Sequence, residues 1–131
     1  MGLAVSAITT LRVLTAFAIL ILTAAPGWAE VCHGRFYPYS FCPRCTSVSI
    51  KTTKRDTPCS VDINVGGGRI YVGSKIARRP SHGQAGVEGP SVAYVPAKGF
   101  VGTDKFTVEW DLLEREKALV IFVEYTIEVT P

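Results

Sequence analysis

The chain is poor in the residues on which most enzyme chemistry depends. It has two histidines, His33 and His82, and no His-x-x-x-His pair, no Gly-x-Ser-x-Gly elbow and no phosphate-binding loop. Gly66-Gly67-Gly68 has no helical pattern behind it and reads as a turn. His82 lies in a proline-glycine turn, where a hydrogen-bonded surface role suits it better than base catalysis. These absences argue against an enzyme, and nothing points to a cofactor. Charge of one sign is also scarce: the net charge is +3 over 131 residues, too little for a nucleic-acid binder. No stretch carries the period of an amphipathic helix. No apolar run reaches the roughly 20 residues a membrane-spanning helix needs.

The apolar run that does exist comes first and has the parts of an export leader. Arg12 supplies positive charge, and Val13 to Ala25 form an apolar core of 13 residues broken only by Thr15 and Thr23. Pro26, Gly27, Trp28 and Ala29 then close the stretch with small residues and a helix breaker. Residues 1–29 are therefore expected to be a signal peptide, cleaved after Ala29. The opening Met1-Gly2-Leu3-Ala4-Val5-Ser6 fits a myristoylation pattern only by its letters, since an export leader starts there. A lipoprotein leader would need a small residue before its cysteine, whereas Cys32 follows Val31. The expected product is a secreted or periplasmic protein with no stable membrane insertion once the leader is gone. Loss of Arg12 leaves 13 basic against 11 acidic residues. Lys51, Lys54, Arg55, Lys75, Arg78 and Arg79 on one hand, and Glu109, Asp111, Glu114 and Glu116 on the other, read as solvated faces.

All four cysteines, Cys32, Cys42, Cys45 and Cys59, lie within the first 30 residues after the leader. An even number in a small exported domain favours disulfides, because the compartment is oxidising and a thin core gains from covalent closure. Three pairings are open. Cys42-Pro43-Arg44-Cys45 also has metal-ligand spacing, with Cys32, His33 and Cys59 nearby, but the second close pair of a zinc site is missing. A thioredoxin-like redox pair would need a helix after Cys45, where the sequence instead alternates as a strand. The segment between Cys32 and Cys45 holds Phe36, Tyr37, Tyr39 and Phe41 without a clear period. Exposed rings of this kind form binding surfaces; buried ones would cover a disulfide and supplement the core.

From Cys45 onward, short alternating runs are cut by glycine, proline and polar turns. Val48 and Ile50 mark one strand; Val61, Ile63 and Val65 mark the next, and further runs cover 69–78, 84–87 and 91–95. The strongest period comes last. Phe106, Val108, Trp110 and Leu112 alternate with polar residues, and Leu119, Ile121, Val123, Tyr125, Ile127 and Val129 share one face of a final strand. Residues 111–117 between them have room for a helical turn. Six or seven strands with no helix predict an all-β fold, an immunoglobulin-like antiparallel β-sandwich with an N-terminal disulfide-stapled loop segment. The expected division is residues 30–60 as a cysteine- and aromatic-rich segment and 61–131 as the sandwich core.

The stretch Tyr94-Val95-Pro96-Ala97-Lys98-Gly99-Phe100-Val101-Gly102-Thr103-Asp104-Lys105-Phe106 resembles the Y-x-P-x-x-G-F-x-G-x-D-x-F signature of bacterial immunoglobulin-like and cadherin-like repeat domains. Pro80-Ser81-His82-Gly83 looks like the P-x-H-G turn that precedes it there. The resemblance covers about residues 70–129 and implies a sandwich fold with a role in adhesion, surface display or scaffolding. In it, Gly99 and Gly102 permit positive φ, Asp104 caps a turn through its carboxylate, Pro96 ends a strand, and Tyr94, Phe100 and Phe106 fill the sandwich. The functional expectation is a non-catalytic interaction or structural module of a bacterial envelope. Its partner would be another envelope or extracellular protein, met through edge strands or the aromatic loop. A glycan-binding domain using Tyr37 and Tyr39, or a small secreted inhibitor, are the alternatives.

Overall fold

The computed structural model describes residues 30–35 and 38–131. The expected signal peptide and two of the four loop aromatics, Phe36 and Tyr37, lie outside the described residues. The strands are β1 (Glu30–Val31), β2 (Thr46–Lys54), β3 (Cys59–Asp62), β4 (Ile70–Arg78), β5 (Gly83–Glu88), β6 (Ser91–Pro96), β7 (Gly102–Glu114) and β8 (Lys117–Thr130). They form two four-stranded sheets, β1-β3-β6-β5 and β2-β8-β7-β4. The described residues contain no helix.

The expectation of a purely antiparallel sandwich needs one correction. Four pairings are antiparallel, but β1 runs parallel to β3 and β2 runs parallel to β8. The cause is connectivity: the N-terminal chain lines first one sheet, then crosses to the other, reaching each edge without a hairpin turn. β2 pairs with β8 over nine positions, from Thr46↔Phe122 to Lys54↔Thr130.

The core follows the period-two pattern of the last two strands. Phe106, Val108, Trp110 and Leu112 of β7 and the six alternating apolar residues of β8 are buried, facing Val61, Val92 and Tyr94 of the other sheet. An aromatic ladder crosses the sandwich: Tyr94 stacks on Phe106 with centroids 5.7 Å apart, and Phe106 on Tyr125 at 5.2 Å. Each such pair adds roughly 0.5–1.5 kcal/mol to the burial of its rings. In place of the expected helical turn, β7 and β8 meet in a two-residue loop. Arg115 and Glu116 both take positive φ, 50° and 64°, the backbone that matches strand twist in a tight hairpin.

β2 inverts the expected hydrophobic pattern. The strand lies where Val48 and Ile50 mark it, yet its buried residues are Ser47, Ser49 and Thr53, while Val48 is 50% and Ile50 38% exposed. The register explains this: Ser49 lies opposite Tyr125 and Ser47 opposite Val123, whose side chains already fill the inner layer. Only small side chains fit beside them. The inward polar atoms find partners, since Ser47 Oγ accepts from the Ser40 N–H at 2.7 Å and Thr53 Oγ1 donates to the Thr57 carbonyl at 2.8 Å.

Candidate interaction surfaces

The two disulfides divide the labour. Cys32–Cys59 spans a sequence separation of 27 with both residues buried in the core. Cys42–Cys45 closes a loop of separation three near the surface. Arg44 at its tip takes φ 57°. Its N–H donates to the Val120 carbonyl at 2.7 Å and its guanidinium lies 5.3 Å from the Phe122 ring centroid. All four sulfurs are therefore paired with one another, and among the described residues no group of three or more His, Cys, Asp or Glu is placed to hold a metal.

The described members of the aromatic segment pack inward. Tyr39 and Phe41 meet edge to face at 6.4 Å and both rest against the core. Burial pushes the Tyr39 pKa up, and the nearby Tyr125 opposes this in part. Burial drives Tyr125 further above the ordinary tyrosine range, reinforced by Tyr39. Arg69 lies 3.8 Å over the Phe41 ring, pairs with Glu114, and donates to the Val65 and Gly66 carbonyls at 3.3 Å. One guanidinium thus ties the aromatic segment to the triple-glycine turn and to the β7–β8 hairpin.

The residues that carry the family resemblance come together around Asp104. Its carboxylate is buried, at 3% exposure. Oδ1 accepts from the Ser81 N–H at 2.9 Å and the Lys105 N–H at 3.0 Å; Oδ2 accepts from the His82 N–H at 2.9 Å and the Tyr94 hydroxyl at 2.8 Å. Burial raises the Tyr94 pKa above the usual tyrosine range, and its donation to the Asp104 carboxylate and that negative charge add to the effect. The turn that Asp104 holds is the Ser81-His82 turn. The His82 ring stacks on Phe100 at 4.5 Å and 4°, and the His82 carbonyl accepts from the Ala97 N–H at 2.8 Å. Gly99 takes φ 77° and donates to Asp56 Oδ1 at 2.7 Å, pinning this loop to the turn after β2. Pro96, which ends β6, is buried. Gly102 takes φ 142°, and a Cβ there would press on the Phe100 ring. These side chains are thus occupied in holding the turns together.

No family model and no curated protein matches this chain. Among solved structures, it is similar to a sialyltransferase from Photobacterium damsela with a TM-score of 0.41 and 10% identity, over 67% of this chain and 19% of that one. A likeness of that size, across less than a fifth of the enzyme, bears on neither fold nor activity here.

What the strands leave open are edges and clefts. β4 and β5 end their sheets on the same side of the sandwich, and β5 pairs only with β6. Ala85 and Val87 of β5 face inward and Gln84, Gly86 and Glu88 outward. A cleft of about 540 Å³ opens between β4 and β5, lined by Ile76, Arg79, Pro80, Gly83, Gln84 and Ala85. A second, of about 510 Å³, lies on the other face of the same strand end, where His82, Gln84, Val95 and Pro96 line it. Gly83 is required here, since a Cβ would collide with the Val95 carbonyl oxygen and the Tyr94 ring. Elsewhere, Val48 and Ile50 on β2 and Ile70 (62%) and Val72 (58%) on β4 turn outward at the two edges of the second sheet. The sequence shows Arg78, Arg79 and the Ser81-His82-Gly83 turn. Which strand is an edge depends on pairings between distant segments and is not visible in the sequence.

Proposed function

We propose that this chain is an exported, non-catalytic protein-interaction or structural module of a bacterial envelope, which reaches its compartment through the leader in residues 1–29. Two disulfides accord with an oxidising location, and no helix among the described residues is long and apolar enough to cross a membrane. The observation that carries the reading is the pair of sheet-ending strands, β4 and β5, open along one side of the sandwich beside clefts of about 540 and 510 Å³. An unpaired strand edge is a row of backbone donors and acceptors ready for another chain. The Asp104 carboxylate is engaged by the His82 backbone N–H and the Tyr94 hydroxyl in holding a turn, and the His82 ring stacks on Phe100.

Photo-crosslinking in cells tests this, with the crosslinker placed at Gln84 or Val72 on the open side and at Asp62 or Lys98 elsewhere. The proposal expects adducts with an envelope or extracellular protein from the first two positions, on a chain whose mass begins at Glu30. Equal labelling from all four positions, or none from any, overturns it.

A further inference from the structure

The four sheet-ending strands differ in how well they can accept another strand. β1 is two residues long. The outer edge of β2 is partly taken, because His33 and Thr52 exchange backbone hydrogen bonds at 3.0 and 2.7 Å. β4 is interrupted twice, with register shifts at Tyr71/Gly73 and Ile76/Arg78, and such bulges twist an edge away from pairing. β5 has none of these protections. Its register to β6 is continuous over six residues, from Gly83↔Pro96 to Glu88↔Ser91, and it contains no proline or lysine. Its outer face is open at Gly86, where a Cβ would meet nothing within 4 Å.

The surroundings specify an occupant. A strand added to β5 sends alternate side chains to opposite faces, and each face of the Gly83–Ala85 end has its own cleft. The cleft facing β4 combines the apolar side chains of Ile76 and Ala85 with the guanidinium of Arg79. Arg79 pairs with no carboxylate among the described residues. We infer that the free edge of β5 is a docking site for an extended peptide strand of a partner protein, with alternating apolar side chains and an acidic side chain directed at Arg79. This inference rests on the interaction-module reading and names the surface and the chemistry of its partner. Backbone hydrogen bonds to the outward-facing groups of Gly83, Ala85 and Val87 supply the affinity, and the Arg79 cleft supplies the selection.

The test is an NMR titration of amide shifts in the disulfide-intact protein. One probe is a blocked heptapeptide of alternating valine and threonine ending in glutamate; the other has lysine in place of that glutamate. The acidic probe should shift the amides of Gln84, Ala85, Gly86 and Val87 in a saturable way, and the lysine probe should bind several-fold more weakly. Arg79→Glu, at an exposed position, should weaken the acidic probe by about tenfold and reverse the preference. Ala85→Pro is a second variant: the Ala85 N–H points away from β6, so its loss takes a donor from the free edge and should reduce binding of both probes. Saturable shifts on β2 and β4, around Val48, Ile70 and Val72, would overturn the β5 assignment and leave the broader reading standing. Shifts at β5 that depend on protein concentration alone would make a second copy the occupant and overturn the peptide. Absence of saturable shifts overturns the inference, while the crosslinking experiment separately decides the module reading.

Discussion

Replacing Asp104 by asparagine removes one negative charge and leaves the side chain nearly unchanged in shape. In the native turn the two carboxylate oxygens accept four hydrogen bonds, from the N–H groups of Ser81, His82 and Lys105 and from the Tyr94 hydroxyl. An asparagine turns one of those oxygens into a donor. If its nitrogen faces Ser81 and Lys105, two N–H groups lose their acceptor. If it faces His82 and Tyr94, the hydroxyl can rotate to accept and donate instead toward the His82 carbonyl 3.5 Å away, and one N–H is orphaned. The second arrangement is the cheaper. It exchanges charge-assisted bonds for neutral ones and leaves a part-buried donor unpaired, which together cost about 2–4 kcal/mol. For a domain of about one hundred residues this lowers Tm by roughly 10–25 °C. Tyr94→Phe removes one of the four bonds and should cost about 1.5–3 kcal/mol. The double variant should cost less than the sum, because the two residues share a bond. Urea unfolding followed by tryptophan fluorescence, disulfides intact, measures all three. Stability of Asp104→Asn within 0.5 kcal/mol of the parent would refute the claim that this carboxylate organises the Ser81-His82 turn.

Other expectations follow from the buried tyrosines, the disulfides and β2. Tyr94 and Tyr125 have folded-state pKa values raised above the ordinary value of about 10. Below about pH 10 both states keep these protons; above it only the unfolded chain releases them, so stability should fall with pH by up to about 1.4 kcal/mol per unit for each group. Urea midpoints between pH 8 and 11.5 check this, and a flat profile counts against burial of the two hydroxyls. Replacing Cys32 and Cys59 by alanine should cost about 3–4 kcal/mol from loop closure, and replacing Cys42 and Cys45 about 2 kcal/mol or less, an order that thermal denaturation of the two variants can reverse or uphold. Ser49→Leu should destabilise by about 1–3 kcal/mol despite its greater hydrophobicity, while Val48→Ser stays within about 0.5 kcal/mol. Equal costs for the last pair would contradict the inverted register of β2.

How much could be read from the chain varied with how local the determining physics is. β7 and β8 were legible because each alternates fully, so the buried face from Phe106 to Leu112 and from Leu119 to Val129 is written in adjacent residues. β2 was legible as a strand, but its buried face was not, since the crowding by Tyr125 and Val123 that admits only Ser49 and Ser47 comes from residues more than 70 positions away. The Arg115-Glu116 turn lacks the Asn-Gly signal that ordinarily announces its backbone. The residue types of the Tyr94–Phe106 stretch suggested a capping aspartate. That Asp104 reaches back to Ser81 and His82, 23 and 22 positions upstream, required the fold. The disulfide pairing and the open edge of β5 are likewise products of long-range pairing.

The Cys32–Cys59 bond has a mechanical consequence. Tension applied between Glu30 and Thr130 enters the covalent chain just before Cys32 and passes through the sulfurs directly to Cys59. β2 then lies outside the covalent path between the two ends, although it pairs with β8 over nine positions. Reduction of that one bond puts β2 into the load path. Because β2 and β8 are parallel, opposite pulls on them act along the strands, so all nine positions must slide together instead of opening one by one.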